Sequence, residues 1–166
     1  NVKIEAVIES IDAQTIYDVP IMMHKERLDD LVMKRLQLDT RQITRLDAWM
    51  DFLHRLKHPR HEIRIGLVGK YVELQDAYKS IHEAFTHAGA VNECKVKVIS
   101  IHSESVTKDS AEQLLSGLDG VLVAPGFGER GIEGKINTIQ YIRERGIPFF
   151  GICLGMQCAV VEVARH

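Results

Sequence analysis

Pro148-Phe-Phe-Gly-Ile-Cys153-Leu-Gly-Met-Gln157 decides how the fold is read. Pro148 to Cys153 is a short apolar run of strand character. From Gly155 to Ala164 the apolar residues recur at helical spacing. Working back toward the N-terminus, the same strand-then-helix order repeats. Ile63 to Gly69, Lys95 to Ile101 and Gly120 to Ala124 read as strands, and Asp76 to Ala88, Asp109 to Ser116 and Glu133 to Arg145 as helices. Strands alternating with helices of this length imply parallel strands joined by crossovers. Nearly continuous apolar strands, such as Val121-Leu-Val123 and Phe149 to Cys153, imply a sheet covered on both faces. The expected class is α/β, a doubly wound and mostly parallel sheet. In such sheets reactive groups collect at the carboxyl ends of the strands, which directs attention to 66–71, 124–131 and 151–155.

Residues 1–57 have a different character. Val2 to Ile11 alternates enough to suggest a short strand or extended edge, and Pro20 is expected to break the chain. Leu28, Leu31, Val32 and Leu36 fall at helical spacing, as do Ile43, Leu46, Met50, Leu53 and Leu56, so two amphipathic helices are expected, joined across Leu38–Gln42. His58-Pro59 ends the second. The expected organisation is a helical N-terminal arm at 1–57, a linker at 58–62 and an α/β region at 63–166. An opening without Met and an uncapped final helix suggest a piece of a longer protein.

Composition excludes several classes. The 166 residues include 45% apolar and 27% charged side chains, ordinary values for a globular chain. Twenty-one basic against twenty-three acidic residues leave a net charge of -2, so no electrostatic footprint for nucleic acid or an anionic membrane is expected. No apolar run approaches the ~20 residues of a membrane span and no signal-peptide pattern opens the chain, which points to a cytoplasmic location. Three cysteines without framework spacing do not make a disulfide scaffold, and no metal-ligand spacing occurs.

One of those cysteines carries the chemistry. Gly151-Ile-Cys153-Leu-Gly155 has the G-x-nucleophile-x-G shape of a strand turning sharply into a helix, with cysteine in the nucleophile position. Such an elbow holds its central residue in an unfavourable backbone conformation and brings the flanking residues too close for side chains. A thiol there sees the positive end of the helix dipole and becomes a better nucleophile. The N–H of Leu154 is expected to face a developing oxyanion. Gly126, in the glycine-rich loop 124–131, is the candidate second donor, since Pro125 has no N–H. Gln157, one turn beyond the thiol, is placed to hydrogen-bond a substrate. Cys94 and Cys158 lack any activating context. A cysteine nucleophile needs a base, normally histidine. None of the eight histidines is well placed; His102 is the least implausible, and the base is expected beyond residue 166.

Gly151–Gln157 resembles the glutaminase nucleophile motif of class I glutamine amidotransferases, which have a flavodoxin-like fold. Gly69–Ile81, Gly126–Lys135, and Ser10–Pro20 with Leu28-Asp-Asp narrow the resemblance to the CTP synthase family. The chain then spans the end of that family's amidoligase domain and the first half of its amidotransferase domain. The resemblance implies ATP-dependent amination of UTP to CTP, with ammonia released from glutamine through a thioester at Cys153. It implies oxyanion and glutamine contacts from Gly126, Leu154, Gly155, Met156 and Gln157. A loop sensing the effector GTP is implied at Phe127, Arg130, Gly131 and Glu133, and an ATP-adenine border at Ile11, Asp12 and Ala13. Lys70, Tyr71, Asp76 and Lys79 match a signature loop with an expected coupling role, a helix cap being the alternative for Asp76. The family uses ATP, Mg2+ and GTP and is a homotetramer. Its catalytic His and Glu and most UTP, ATP and magnesium ligands are not among these residues, so the chain alone is expected to be inactive. The alternatives are a thiol hydrolase of DJ-1/PfpI type, in which a histidine commonly follows the cysteine where Leu154 stands here, and a non-catalytic flavodoxin-like binding module.

Overall fold

The computed structural model describes residues 2–38, 45–74 and 76–166. The chain divides into two compact units, Asn1–Lys57 and His58–His166.

The described residues of the first unit include the helices α1 (Val19–Lys25), α2 (Leu28–Arg35) and α3 (Asp47–Lys57). Both helices read from apolar spacing are present; Ile43 and most of the Leu38–Gln42 connection lie outside the described residues. The expected strand at Val2–Ile11 is absent. Ile4–Ala6 forms a single 3-10 turn instead, and Ile4, Val7 and Ile11 are exposed. Alternation makes a strand only where a partner strand exists, and the described residues of this unit supply none. Pro20 does not interrupt the chain. It occupies the first turn of α1, where its missing N–H has no intrahelical acceptor to lose. Trp49 and Phe52 of α3 pack on Tyr17 with ring centroids 6.0 and 5.4 Å away, and the Trp49 Nε1–H donates to the Tyr17 carbonyl at 2.9 Å.

The second unit is the doubly wound α/β fold anticipated above. Four parallel strands, β1 (His61–Gly69), β2 (Cys94–His102), β3 (Gly120–Val123) and β4 (Phe149–Gly151), lie in the order β2-β1-β3-β4. β1 begins at His61, two residues earlier than its apolar pattern suggests, because His61 and Glu62 pair with Cys94 and Lys95. The helices are α4 (Lys79–Val91), α5 (Ala111–Leu115), α6 (Ile132–Glu144) and α7 (Leu154–Arg165). α4 starts three residues later than Asp76. No side chain caps it, so Asp76 is not a helix cap; its carbonyl instead accepts from the Lys79 N–H at 3.4 Å.

Register sorts the core onto two faces. Leu67 pairs with Leu122 and Val68 with Val123. Leu67, Leu122 and Ala124 pack with Tyr78 and with Ile81 and Phe85 of α4 on one face. Val68, Val121 and Val123 pack with Leu115, Ile136, Ile139, Ile142 and Cys158 of α5, α6 and α7 on the other. β1 and β3 are thus covered on both sides. β4 is not: its Phe149 and Phe150 are exposed, Phe150 to 64%. Apolar content marked β4 as a strand, but at the end of the strand order only one side carries a partner.

α6 and α7 pack on each other and are clamped by a bidentate pair, Arg143 Nε and Nη2 donating to Glu162 at 2.9 and 2.8 Å. The Arg143 guanidinium holds the buried Glu162 carboxyl below the usual glutamate range. A depressed folded-state pKa contributes stability that is complete above the unfolded value of about 4.3 and is lost as pH falls through the folded value. Glu162→Gln is expected to lower unfolding free energy by about 2 kcal/mol at pH 7. In urea titrations at a series of pH values the gap to wild type should narrow as pH falls below about 4.3; a gap that does not change with pH would exclude this origin.

Candidate active site

β1, β3 and β4 are neighbours and parallel, so their carboxyl ends open at one edge of the sheet. β3 lies between the other two. The loop that follows it, 124–131, is therefore flanked by Lys70 at the end of β1 and by the 151–155 turn at the end of β4.

That turn is an elbow. Cys153 has φ 51° and ψ −108°, a region L-residues avoid, at a cost of roughly 1–3 kcal/mol. Its side chain is exposed, whereas Cys94 and Cys158 are buried. A Cβ on Gly151 would lie 2.7 Å from both the Gly155 carbonyl carbon and the Met156 nitrogen, so the turn closes only with glycine there. Gly155 is required for a different contact than the one foreseen. Its missing Cβ makes room for the Val123 carbonyl oxygen, which would be 2.1 Å away. The same oxygen accepts from the Ile152 N–H at 3.1 Å, and this seats the elbow on β3. Helix α7 starts at once, the Gln157 N–H bonding to the Cys153 carbonyl at 3.1 Å. Leu154 supplies the first N–H of α7, and a helix start leaves such groups without intrahelical acceptors. Met156 and Gln157 are exposed next to the thiol, Leu154 is half-buried and Gly155 is buried.

The facing loop is held from beneath by two lysines. Lys70 donates to the Phe127 carbonyl and Lys135 to the Ala124 carbonyl, the latter at 2.7 Å. Lys135 is fully buried, on the apolar side of α6 beside Ile136 and Ile139. A Cβ on Gly126 would come to 3.5 Å from Lys70 Cε and 3.7 Å from Lys135 Nζ, so the two lysine side chains converge on the side of Gly126 where a side chain would stand. The GKY and EGK strings contain these lysines, but nothing in them announces that they converge. The available signal was a lysine at an inward position of the Ile132, Ile136, Ile139 stripe.

The loop residues matched to an effector sensor divide into two groups. Phe127 is 88% exposed, and Arg130 lies 5.9 Å from the centre of the Tyr71 ring, which Lys70 also approaches at 5.1 Å. Gly131, at φ 79°, begins α6 against Ser103. Glu133 faces α7 instead, where Arg165 donates to both its oxygens at 3.1 and 2.9 Å and pulls its carboxyl below the usual range. Ile11 and Asp12 are exposed and Ala13 half-buried in an irregular stretch of the first unit.

His102 is not a base for Cys153. It ends β2, three strand positions from β4 and thus roughly 14 Å across the sheet, and its Nδ1 accepts from the Glu104 N–H at 3.3 Å. His61 opens β1 at the opposite edge, His82 and His87 belong to α4 on the far flank, and His166 follows the last residue of α7. His24 bonds Asp29 within the first unit.

Because Gly155 meets backbone rather than a movable side chain, Gly155→Ala is expected to cost on the order of 3 kcal/mol or more of unfolding free energy, read by urea denaturation. A loss under about 0.5 kcal/mol would mean that the elbow is not seated on Val123.

Comparison with known proteins agrees with this geometry. The model for the family described as Glutamine amidotransferase class-I matches residues 73–166. All 166 residues align with CTP synthases of Flavobacterium psychrophilum and Cytophaga hutchinsonii at 63% and 61% identity, covering 31% of each. A CTP synthase of Methanocaldococcus jannaschii is 55% identical over 98% of this chain and 31% of its own length. The chain therefore spans about a third of the length of the curated relatives it matches. The Trypanosoma brucei CTPS glutaminase domain with bound acivicin superposes with a TM-score of 0.59 at 38% identity, over 63% of this chain and 41% of that one. A strained cysteine between two obligate glycines, on a parallel sheet of this order, is thus accompanied by the sequence of its relatives: the chain belongs to the class-I glutamine amidotransferase family.

Proposed function

We propose that Cys153 is the glutaminase nucleophile of a CTP synthase, of which residues 1–57 form the end of the amidoligase domain and 61–166 the first half of the amidotransferase domain; the linker expected at 58–62 shortens to 58–60, because His61 and Glu62 already pair in β1. The observation that carries this reading is the exposed, strained thiol at the elbow, opposite the loop of Gly126. The thiolate attacks the side-chain amide carbon of glutamine. The carbonyl π-electrons move to oxygen, and the N–H groups of Gly126 and Leu154 receive that charge. Collapse expels the amide nitrogen, protonated as ammonia, and leaves a glutamyl thioester; water then cleaves it to glutamate and restores the thiol. Gly155, Met156 and Gln157 line the glutamine pocket. The proton acceptor comes from outside these 166 residues.

In the same proposal the ammonia aminates UTP at the pyrimidine 4-position with ATP, Ile11, Asp12 and Ala13 bordering the adenine. Phe127, Arg130, Gly131 and Glu133 sense GTP, with Lys70 and Tyr71 behind them. Mg2+ serves the family, but the described residues contain no group of three or more acidic, histidine or cysteine side chains able to hold a metal, so no step is derived through it here. The intact protein is a cytoplasmic homotetramer in this reading. No helix of the described residues is long and apolar enough to cross a membrane.

Acivicin, found on the trypanosomal domain, is expected to label Cys153 and to spare Cys94 and Cys158, with glutamine protecting. Peptide mapping reads the site, and equal modification of all three thiols would defeat the nucleophile assignment. Lacking a base, the chain should release no glutamate above background in a steady-state glutaminase assay. Turnover near that of an intact amidotransferase would contradict the assignment of the base to other residues.

A further inference from the structure

We infer that Lys70 is a positioning residue for the wall opposite Cys153: from the end of β1 it ties the Phe127 carbonyl and so fixes the Gly126 N–H for the charge that forms on the substrate. Lys70 has this role only if Cys153 is the nucleophile and Gly126 an oxyanion donor, the reading proposed above on which this one rests.

The tip of the facing loop has little else to hold it. Gly126 and Gly128 carry no side chains and Phe127 is exposed, so packing anchors none of the three. Among the described residues, no backbone–backbone hydrogen bond involves 125–128. Lys70 reaches this stretch from 57 positions away in the chain and donates to the Phe127 carbonyl. Its side chain runs along both glycines. A Cβ on Gly126 would lie 3.5 Å from Lys70 Cε, and one on Gly128 would lie 3.9 Å from Lys70 Nζ.

Lys70 itself stands on a fixed base. Gly69 before it pairs with His102 in the ladder, and the Tyr71 N–H after it donates to the Tyr78 hydroxyl at 3.4 Å. Tyr78 is in turn buried with Leu67, Leu122 and Ala124. With only 8% of Lys70 exposed, water is a poor substitute for the Phe127 carbonyl. Two positions earlier on the same strand, the Val68 carbonyl accepts the Ala124 N–H at 2.8 Å. β1 therefore holds the chain on both sides of Gly126, at Ala124 through its backbone and at Phe127 through Lys70. A donor that serves a transient charge is effective when it is held in place before the charge appears, and a small displacement loses much of its effect.

Two reagents acting on Cys153 of the 166-residue chain test this. Acivicin takes the thiolate at the carbon of its ring C=N bond; the π-pair moves to nitrogen and returns as chloride leaves, so charge develops transiently at an unsaturated centre. Iodoacetamide forms its S–C bond as iodide leaves a saturated carbon and calls on no oxyanion donor. Both rates at Cys153 are measured by peptide mass spectrometry in wild type, Lys70→Met and Lys70→Gln, with thermal unfolding and the labelling of buried Cys94 reporting the fold. Met has no donor and Gln is one bond too short, so each should lower the ratio of acivicin to iodoacetamide rates by about tenfold. Gln remains informative if Met does not fold. A ratio equal to wild type in whichever variant folds overturns the inference, because a lysine that only stabilises the fold would lower melting temperature and leave the ratio in place. If acivicin labels Cys94 and Cys158 of the wild type as readily as Cys153, the nucleophile assignment fails instead, and the two failures are distinguished.

Discussion

One carbonyl oxygen, that of Val123, holds the elbow in place. It accepts the Ile152 N–H and occupies the space that any side chain on Gly155 would need. The last residue of β3 is therefore in direct backbone contact with both arms of the turn that carries Cys153. Because the next residue, Ala124, begins the facing loop, the thiol-bearing elbow and its opposite wall hang from two consecutive peptides. Relative motion of the two is restricted without any side chain bridging the gap.

The surrounding structure absorbs the costs of that arrangement. The dihedral strain at Cys153 is offset by the two-faced core that β1 and β3 share with α4 on one side and α5, α6 and α7 on the other. The Arg143–Glu162 pair fastens α6 to α7, so the helices leaving the loop and leaving the elbow move as one body. Two lysines under the loop impose a further cost, the desolvation of like charges. The site thus holds strain and buried charge where packing alone would need neither.

Much of this could be read from residues in order. The strand-helix rhythm named all four strands and four helices of the second unit, since both periodicities are local. The paired glycines identified the elbow because steric exclusion leaves so few alternatives. Val2–Ile11 was misread because a strand is defined by its partner, which a linear pattern does not contain. The open faces of Phe149 and Phe150 escaped notice for the same reason: apolar content reports strand character, while position in the sheet decides burial. α4 began late because turns at 72–73 and 76–78 precede it and the Tyr78 ring stands against Gly69, a contact between distant side-chain and backbone atoms.

The sequence by itself determined the class of fold, the place of the sharp turn and which cysteine stands on it, because each follows from short-range sterics and hydrophobic period. Only the tertiary structure decided that Gly155 answers to Val123, that His102 is three strand positions away and bound to Glu104, and that Lys70 and Lys135 meet beneath one loop. Those relations depend on strand order and register, which bring together residues up to 65 positions apart in the chain, as Lys70 and Lys135 are. No local pattern encodes such a meeting; it exists once the sheet has closed and burial has forced each polar atom to find a partner.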